Sequence, residues 1–182
     1  MSKTIHELLG LSNDEINNFY RNIFSINNIS IENIALNNMT KYSSGMPTMM
    51  QEIGDSTFWM DTDNHIDYDD SMKGIIDAGQ RIGLKYLQPL IDKKIRCENY
   101  LSLFKKIGNN LTITPNATFT KKTFSDVFNE QELKVFKDFI SRAKKLGIIE
   151  LASSKKQGEY QFTNQLYPIY FFIQTINDNG AN

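Results

Sequence analysis

Apolar positions recur along most of this chain at helical spacing. Ile16, Phe19, Tyr20, Ile23 and Phe24 make one face of a helix predicted over residues 12–26. Ser12 and Glu15 stand at capping-box spacing, so each can satisfy an orphan amide at its start. Asn27 and Asn28 end it. Ser30 is placed to cap a second helix with Ile31, Ile34, Ala35 and Met39 inward, and Ser43-Ser44-Gly45 closes that helix with a left-handed turn. Pro47, whose missing N–H costs nothing in a first turn, opens a third over 48–59. Met49, Met50, Ile53, Phe58 and Trp59 supply its bulk, and Gly54 marks a close approach of a neighbouring backbone.

An acidic loop spans 61–70, and its last carboxylates suit the positive end of a fourth helix. That helix carries Met72, Ile75, Ile76, Ile82 and Tyr86, and Gly74, Ala78, Gly79 and Gly83 give it a small-sided surface for close helix packing. Pro89 breaks or kinks it, and a fifth helix is predicted over 90–107.

From residue 111 the texture changes. Residues 111–119 have no helical period and suit a short strand with a turn at Pro115-Asn116. A short helix over 123–128 precedes a long one over 130–146, which Asn129 and Glu132 cap. Leu133, Phe136, Phe139, Ile140 and Ala143 line its inner face, and Gly147 stops it. Strands at 148–151 and 160–162 flank a polar turn, and a last helix covers 166–176. Short helix, long helix, strand, turn, strand is the order of a winged helix, a helix-turn-helix with a β-hairpin wing. The expected fold is mainly α, with a helical domain over 1–110 followed by a winged-helix (α+β) domain over 111–182.

Composition changes this picture little. With 40% apolar and 23% charged residues the chain builds a core without staples, and a net charge of −1 calls for no polyanion. The C-terminal part is the more basic, with nine Lys/Arg against seven Asp/Glu in 111–182. A single cysteine, Cys97, excludes an internal disulfide and fits a reducing, cytoplasmic setting. In a predicted helical stretch without a His/Asn partner set, it reads as a bystander thiol. The first residues have no long apolar run, so neither a signal peptide nor a membrane span is expected.

Candidate chemistry is sparse. No P-loop and no Gly-x-Gly-x-x-Gly occurs. The acidic loop fails as an EF-hand, with Ile66 at position 6 and Met72 at position 12. His6 and His65, the two histidines, lie far apart without a metal-ligating cluster, so neither a zinc site nor a His-based triad is expected. The long helix offers more. Lys134, Lys137, Ser141 and Lys144 form an outward stripe, Arg142 and Lys145 flank it, and Lys155 and Lys156 add charge in the wing. Such a stripe contacts phosphates and groove edges of duplex DNA, or else is a solvated helix face with lysines at its negative end.

The run Asn13-Asp14-Glu15-Ile16…Phe19-Tyr20, then Ile31-Glu32…Ala35-Leu36, then 42–55 around Gly45-Met46-Pro47, resembles the helical lid of archaeal AAA+ ATPases of the origin-recognition and STAND-like group. The stretch Gly158-Glu159-Tyr160-Gln161-Phe162-Thr163-Asn164, with Tyr167 and Tyr170, resembles the wing strand and last helix that follow the lid in many of them. The resemblance implies a nucleotide-proximal turn at Gly45, Met46, Pro47 and Thr48. It also departs from the family twice. The sequence does not contain the ATPase module that precedes the lid in that family, so the resemblance implies a truncation, a split gene product or a remnant. The sensor arginine's place holds Thr48. The implied function is coupling of nucleotide state to DNA or macromolecule binding, without catalysis by this chain. ATP and magnesium then belong only to an intact parent. Partners are double-stranded DNA, an ATPase core or another protein, and no membrane. A free-standing DNA-binding regulator, dimerising through 74–83, and a protein-interaction or autoinhibitory unit are the alternatives.

Overall fold

The computed structural model describes residues 10–95, 97–111, 114, 117–152 and 158–180. Among the described residues the chain is mainly helical with two small sheets. It divides into two compact units, Met1–Gly74 and Ile75–Asn182.

In the first unit α1 (Asn13–Ile26) starts with the predicted capping box, Ser12 and Glu15 each bonding the other's backbone amide. Ile16, Tyr20 and Phe24 are buried, and the Tyr20 hydroxyl donates to the Met50 carbonyl at 3.0 Å. Ser30 does not cap the second helix. Ser30–Ile31 is a strand, β1, paired in parallel with β2 (His65–Ile66). α2 (Asn33–Ser43) begins only after Glu32, whose amide donates to the Ile66 carbonyl. Ile34 therefore turns outward and is 52% exposed, while Ala35, Leu36 and Met39 are buried. α3 (Pro47–Met60) follows a left-handed turn through Ser44 and Gly45. The Leu11 amide donates to the Gly45 carbonyl, and a Cβ on either Gly10 or Gly45 would press to 3.0 Å on the other strand's carbonyl. Gly54 meets the Tyr20 ring, a side chain rather than the neighbouring backbone expected there. Trp59, expected as core bulk, is 69% exposed.

α4 (Tyr68–Ile82) is capped by Asp67, which accepts from the Asp70 amide at 2.9 Å. Pro89 does not break the chain's helical course. A π-helical turn, Gly83–Leu87, leads straight into α5 (Gln88–Lys94), where the proline occupies a first-turn position that needs no N–H. The predicted fifth helix is instead two, because Ile95 is extended (φ −125°, ψ 93°) and ends α5. Cys97 accordingly lies outside a helix. Its carbonyl accepts from the Tyr100 and Leu101 amides at the start of α6 (Glu98–Leu111).

α6 packs on both α7 (Glu130–Lys145) and α8 (Leu166–Gly180). Phe104 stacks on Phe171 with centroids 4.7 Å apart and meets Phe139 edge-on at the same distance. The division at Gly74 thus differs from the 110/111 boundary expected from sequence texture, because α6 shares one core with α7 and α8. β3 (Ile149–Leu151) and β4 (Tyr160–Phe162) pair antiparallel, and Phe119 adds a bridge to Tyr160. Of the predicted strand over 111–119, Leu111 instead ends α6 and Phe119 makes that bridge, while residues 112, 113, 115 and 116 lie outside the described residues. The predicted turn at Pro115-Asn116 lies outside the described residues. Residues 122–124 form a 3₁₀ turn (Lys122–Phe124) in place of a short α-helix.

The small-sided surface of α4 is used within each unit. Gly74 lies against Thr57 in the first. In the second, Gly79 and Gly83 lie against Ile169 and Tyr170 of α8. Both contacts leave no room for a side chain, so this surface is not a free dimerisation face. Among the described residues no helix is long and apolar enough to cross a membrane.

Candidate functional site

α7 sets the geometry of the predicted cationic stripe. Phe136, Phe139, Ile140 and Ala143 are buried, Leu133 half-buried, and the helix turns Lys134, Lys137, Ser141 and Lys144 outward, all four exposed. At 1.5 Å per residue the stripe is about 15 Å long. Lys121, which sequence reasoning passed over, joins it. With Lys137 it frames a cleft of about 240 Å³ floored by Phe136, Ile140 and Tyr160. Lys121 was hidden because its segment is placed by contacts such as the Phe119–Tyr160 bridge, made with a residue far along the chain. Glu130 and Asp138 are exposed on the same helix and dilute the charge. Lys155 and Lys156 of the wing lie outside the described residues, as does His6.

Arg142 is engaged elsewhere. Its Nε and Nη2 donate to the Lys94 carbonyl at 3.3 and 2.9 Å, which caps the last turn of α5. Lys145 is exposed beside it. Arg142, Lys144 and Lys145 also sit in the last turn of α7, where cations offset the helix dipole.

The first turn of α7 is fixed by a buried carboxylate. Glu132, its side chain 1% exposed, accepts from Lys106 Nζ at 2.7 Å, Ser102 Oγ at 2.5 Å and the Asn129 amide at 2.8 Å. Burial works against its charge, but the bonds from Lys106, Ser102 and Asn129 outweigh it and hold the carboxyl below its ordinary range. The network locks α6 to α7 and so sets the orientation of the stripe.

The Gly45–Thr48 turn belongs to the first unit and the stripe to the second. Pro47 and Thr48 are exposed, and Gly45 and Met46 are half-buried. The Met46 amide donates to the Ser43 carbonyl at 2.9 Å, and the Met46 carbonyl accepts from Met50. Its exposed polar side chain is the Thr48 hydroxyl, with no cation in that place.

One constellation was not anticipated. The β1–β2 pairing brings Ser30 Oγ to 2.7 Å from His65 Nδ1, and His65 Nε2 to 3.5 Å from Glu32 Oε1. These are the parts of a hydroxyl–imidazole–carboxylate relay, joined across 35 residues that carry no local signal of pairing. The imidazole and carboxylate are 47% and 43% exposed, so water competes for both, whereas acyl transfer is favoured by a dry, donor-lined site. The acidic loop next to it is a hydrogen-bonded turn. Asp61 and Asp63 both accept from the His65 amide. Among the described residues no cluster of His, Cys, Asp and Glu is arranged to hold a metal ion.

No protein-family model, curated protein or solved structure matches this chain.

Proposed function

We propose that residues 98–180 form a winged-helix unit that binds duplex DNA through the outward face of α7. The observation that carries the reading is the position of Phe119. Its amide and carbonyl both bond Tyr160 at 2.8 Å, while β3 pairs along β4 through 149–151. Tyr160 therefore lies between two partners, and the order helix, bridge strand, 3₁₀ turn, long helix, hairpin supports the winged-helix reading. In that arrangement the long helix enters the major groove and its exposed cations take backbone phosphates. Lys121, Lys134, Lys137 and Lys144 are then the phosphate contacts, and the Glu132 lock presents them as a rigid surface.

The activity proposed is binding, not catalysis. For the first unit, lid-like coupling to an ATPase core is the second reading, favoured by the exposed Pro47-Thr48 turn at the head of α3. A cytoplasmic setting goes with both. Mobility-shift assays at low salt test the main reading. Retardation of duplex DNA by micromolar protein, weakened when Lys134 and Lys137 become Met, is expected. A duplex that migrates unchanged overturns it. ATP turnover by the purified chain would contradict the non-catalytic assignment.

A further inference from the structure

On the other flank of α7 a cleft of about 490 Å³ opens between the α5–α6 break and the helix face at 138, 141, 142 and 145. Lys94, Arg142 and Lys145 line it with positive charge, Tyr100 and Ser141 add hydroxyls, and Asp138 is the carboxylate among its walls. Two of these donors are held in place before any ligand arrives. The Lys94 carbonyl fixes the Arg142 guanidinium through two N–H groups, leaving three of its five for a ligand. The Tyr100 ring packs edge-on against Phe139 with centroids 5.8 Å apart. Burial first, then the Asp138 charge, keeps the Tyr100 phenol protonated and a donor. Three cations facing one volume repel one another, and an anion with several acceptor oxygens relieves that repulsion while satisfying guanidinium, ammonium and hydroxyl donors together.

We propose that this cleft is a phosphate-binding site, held by Lys94, Arg142, Lys145, Tyr100 and Ser141. The phosphate comes either from a nucleic-acid backbone or from a free phosphorylated small molecule. The site does not depend on the duplex reading of α7, since it faces the α5–α6 break rather than Lys134 and Lys137.

Amide NMR titration of the full chain with inorganic phosphate at constant ionic strength tests it. Saturable shifts confined to residues around 94–101 and 138–146 are expected. Lys94→Met with Lys145→Met should weaken binding about tenfold, and Asp138→Asn should tighten it about threefold. Lys94 and Lys145 are exposed, so their removal leaves the fold, checked by circular dichroism, unchanged. Shifts that stay linear to about 50 mM phosphate, or a double variant with undiminished affinity, overturn the site. Competition then separates the sources. Duplex DNA that displaces phosphate identifies a backbone contact, and phosphate retained beside bound duplex identifies a free ligand. Phosphate binding without any duplex binding leaves this site standing and removes the reading of α7.

Discussion

Replacing Lys106 with Met isolates the interaction that orients α7. The Lys106 ammonium is 2.7 Å from Glu132 and 3.1 Å from the Val127 carbonyl. Its loss leaves a carboxylate 1% exposed with two donors, Ser102 and the Asn129 amide. A hydrogen bond to a charged group contributes about 1.5–3 kcal/mol, and breaking a buried pair costs about 3–5. The Lys106 side chain is 32% exposed, so water already screens its end of the pair and the lower range applies. A loss of about 2 kcal/mol is expected near neutral pH. The pH dependence has a definite sign. Glu132 is held below its ordinary pKa in the fold, so its contribution is complete above the unfolded value of about 4.3 and is lost as pH falls through the folded one. The difference between wild type and Lys106→Met therefore shrinks in acid. Urea unfolding read at the amides of α6 and α7, at about pH 7 and about pH 3, measures both. Glu132→Gln should cost much less in the Lys106→Met background than in the wild type, because the two act as one unit. A loss under about 0.5 kcal/mol, or one that stays constant with pH, would refute the assignment of Glu132 as the ionised centre of this lock.

Other substitutions probe the packing. Gly83→Ala pushes a methyl into the Tyr170 ring and should destabilise the second unit by about 3 kcal/mol in urea unfolding, whereas Gly158→Ala meets open space and costs only its positive-φ strain of about 1 kcal/mol. Thr57 Oγ1 is buried without a hydrogen-bond partner, so Thr57→Val should be neutral or raise stability by about 1 kcal/mol. Ser12→Ala removes half of the α1 capping box and should lower stability of the first unit by about 1 kcal/mol, with Ser12→Asp retaining most of it.

Helix positions were legible wherever capping and periodicity agreed. Ser12 with Glu15 and Asn129 with Glu132 mark their helix starts to the residue, since both boxes act within four positions. Errors arose where a distant partner decided. Ser30 has the chemistry of a cap, yet pairing with His65 makes it a strand and α2 starts only at Asn33, with Ile34 exposed. The break at Ile95 has no proline or glycine to announce it. Pro89, which announces a break, is absorbed by the wide turn at Gly83–Leu87. The small residues of α4 correctly signalled close packing but not its partners, Thr57 and α8. For the site, the outward stripe on α7 followed from period alone. Lys121, the diversion of Arg142 to Lys94 and the Ser30–His65–Glu32 relay depend on contacts between segments far apart in sequence.

The central claim is that α7 presents its lysines to a duplex backbone. Fluorescence anisotropy of a labelled duplex, titrated with protein across a salt series, tests it most directly. Lys134, Lys137 and Lys144 are exposed, so converting all three to Met removes charge without disturbing the core. Wild-type binding should weaken steeply with salt, and the triple variant should bind more weakly with a slope of log affinity against log salt shallower by roughly two to three. A duplex that does not bind at low salt, or a triple variant with the wild-type slope, would contradict the account.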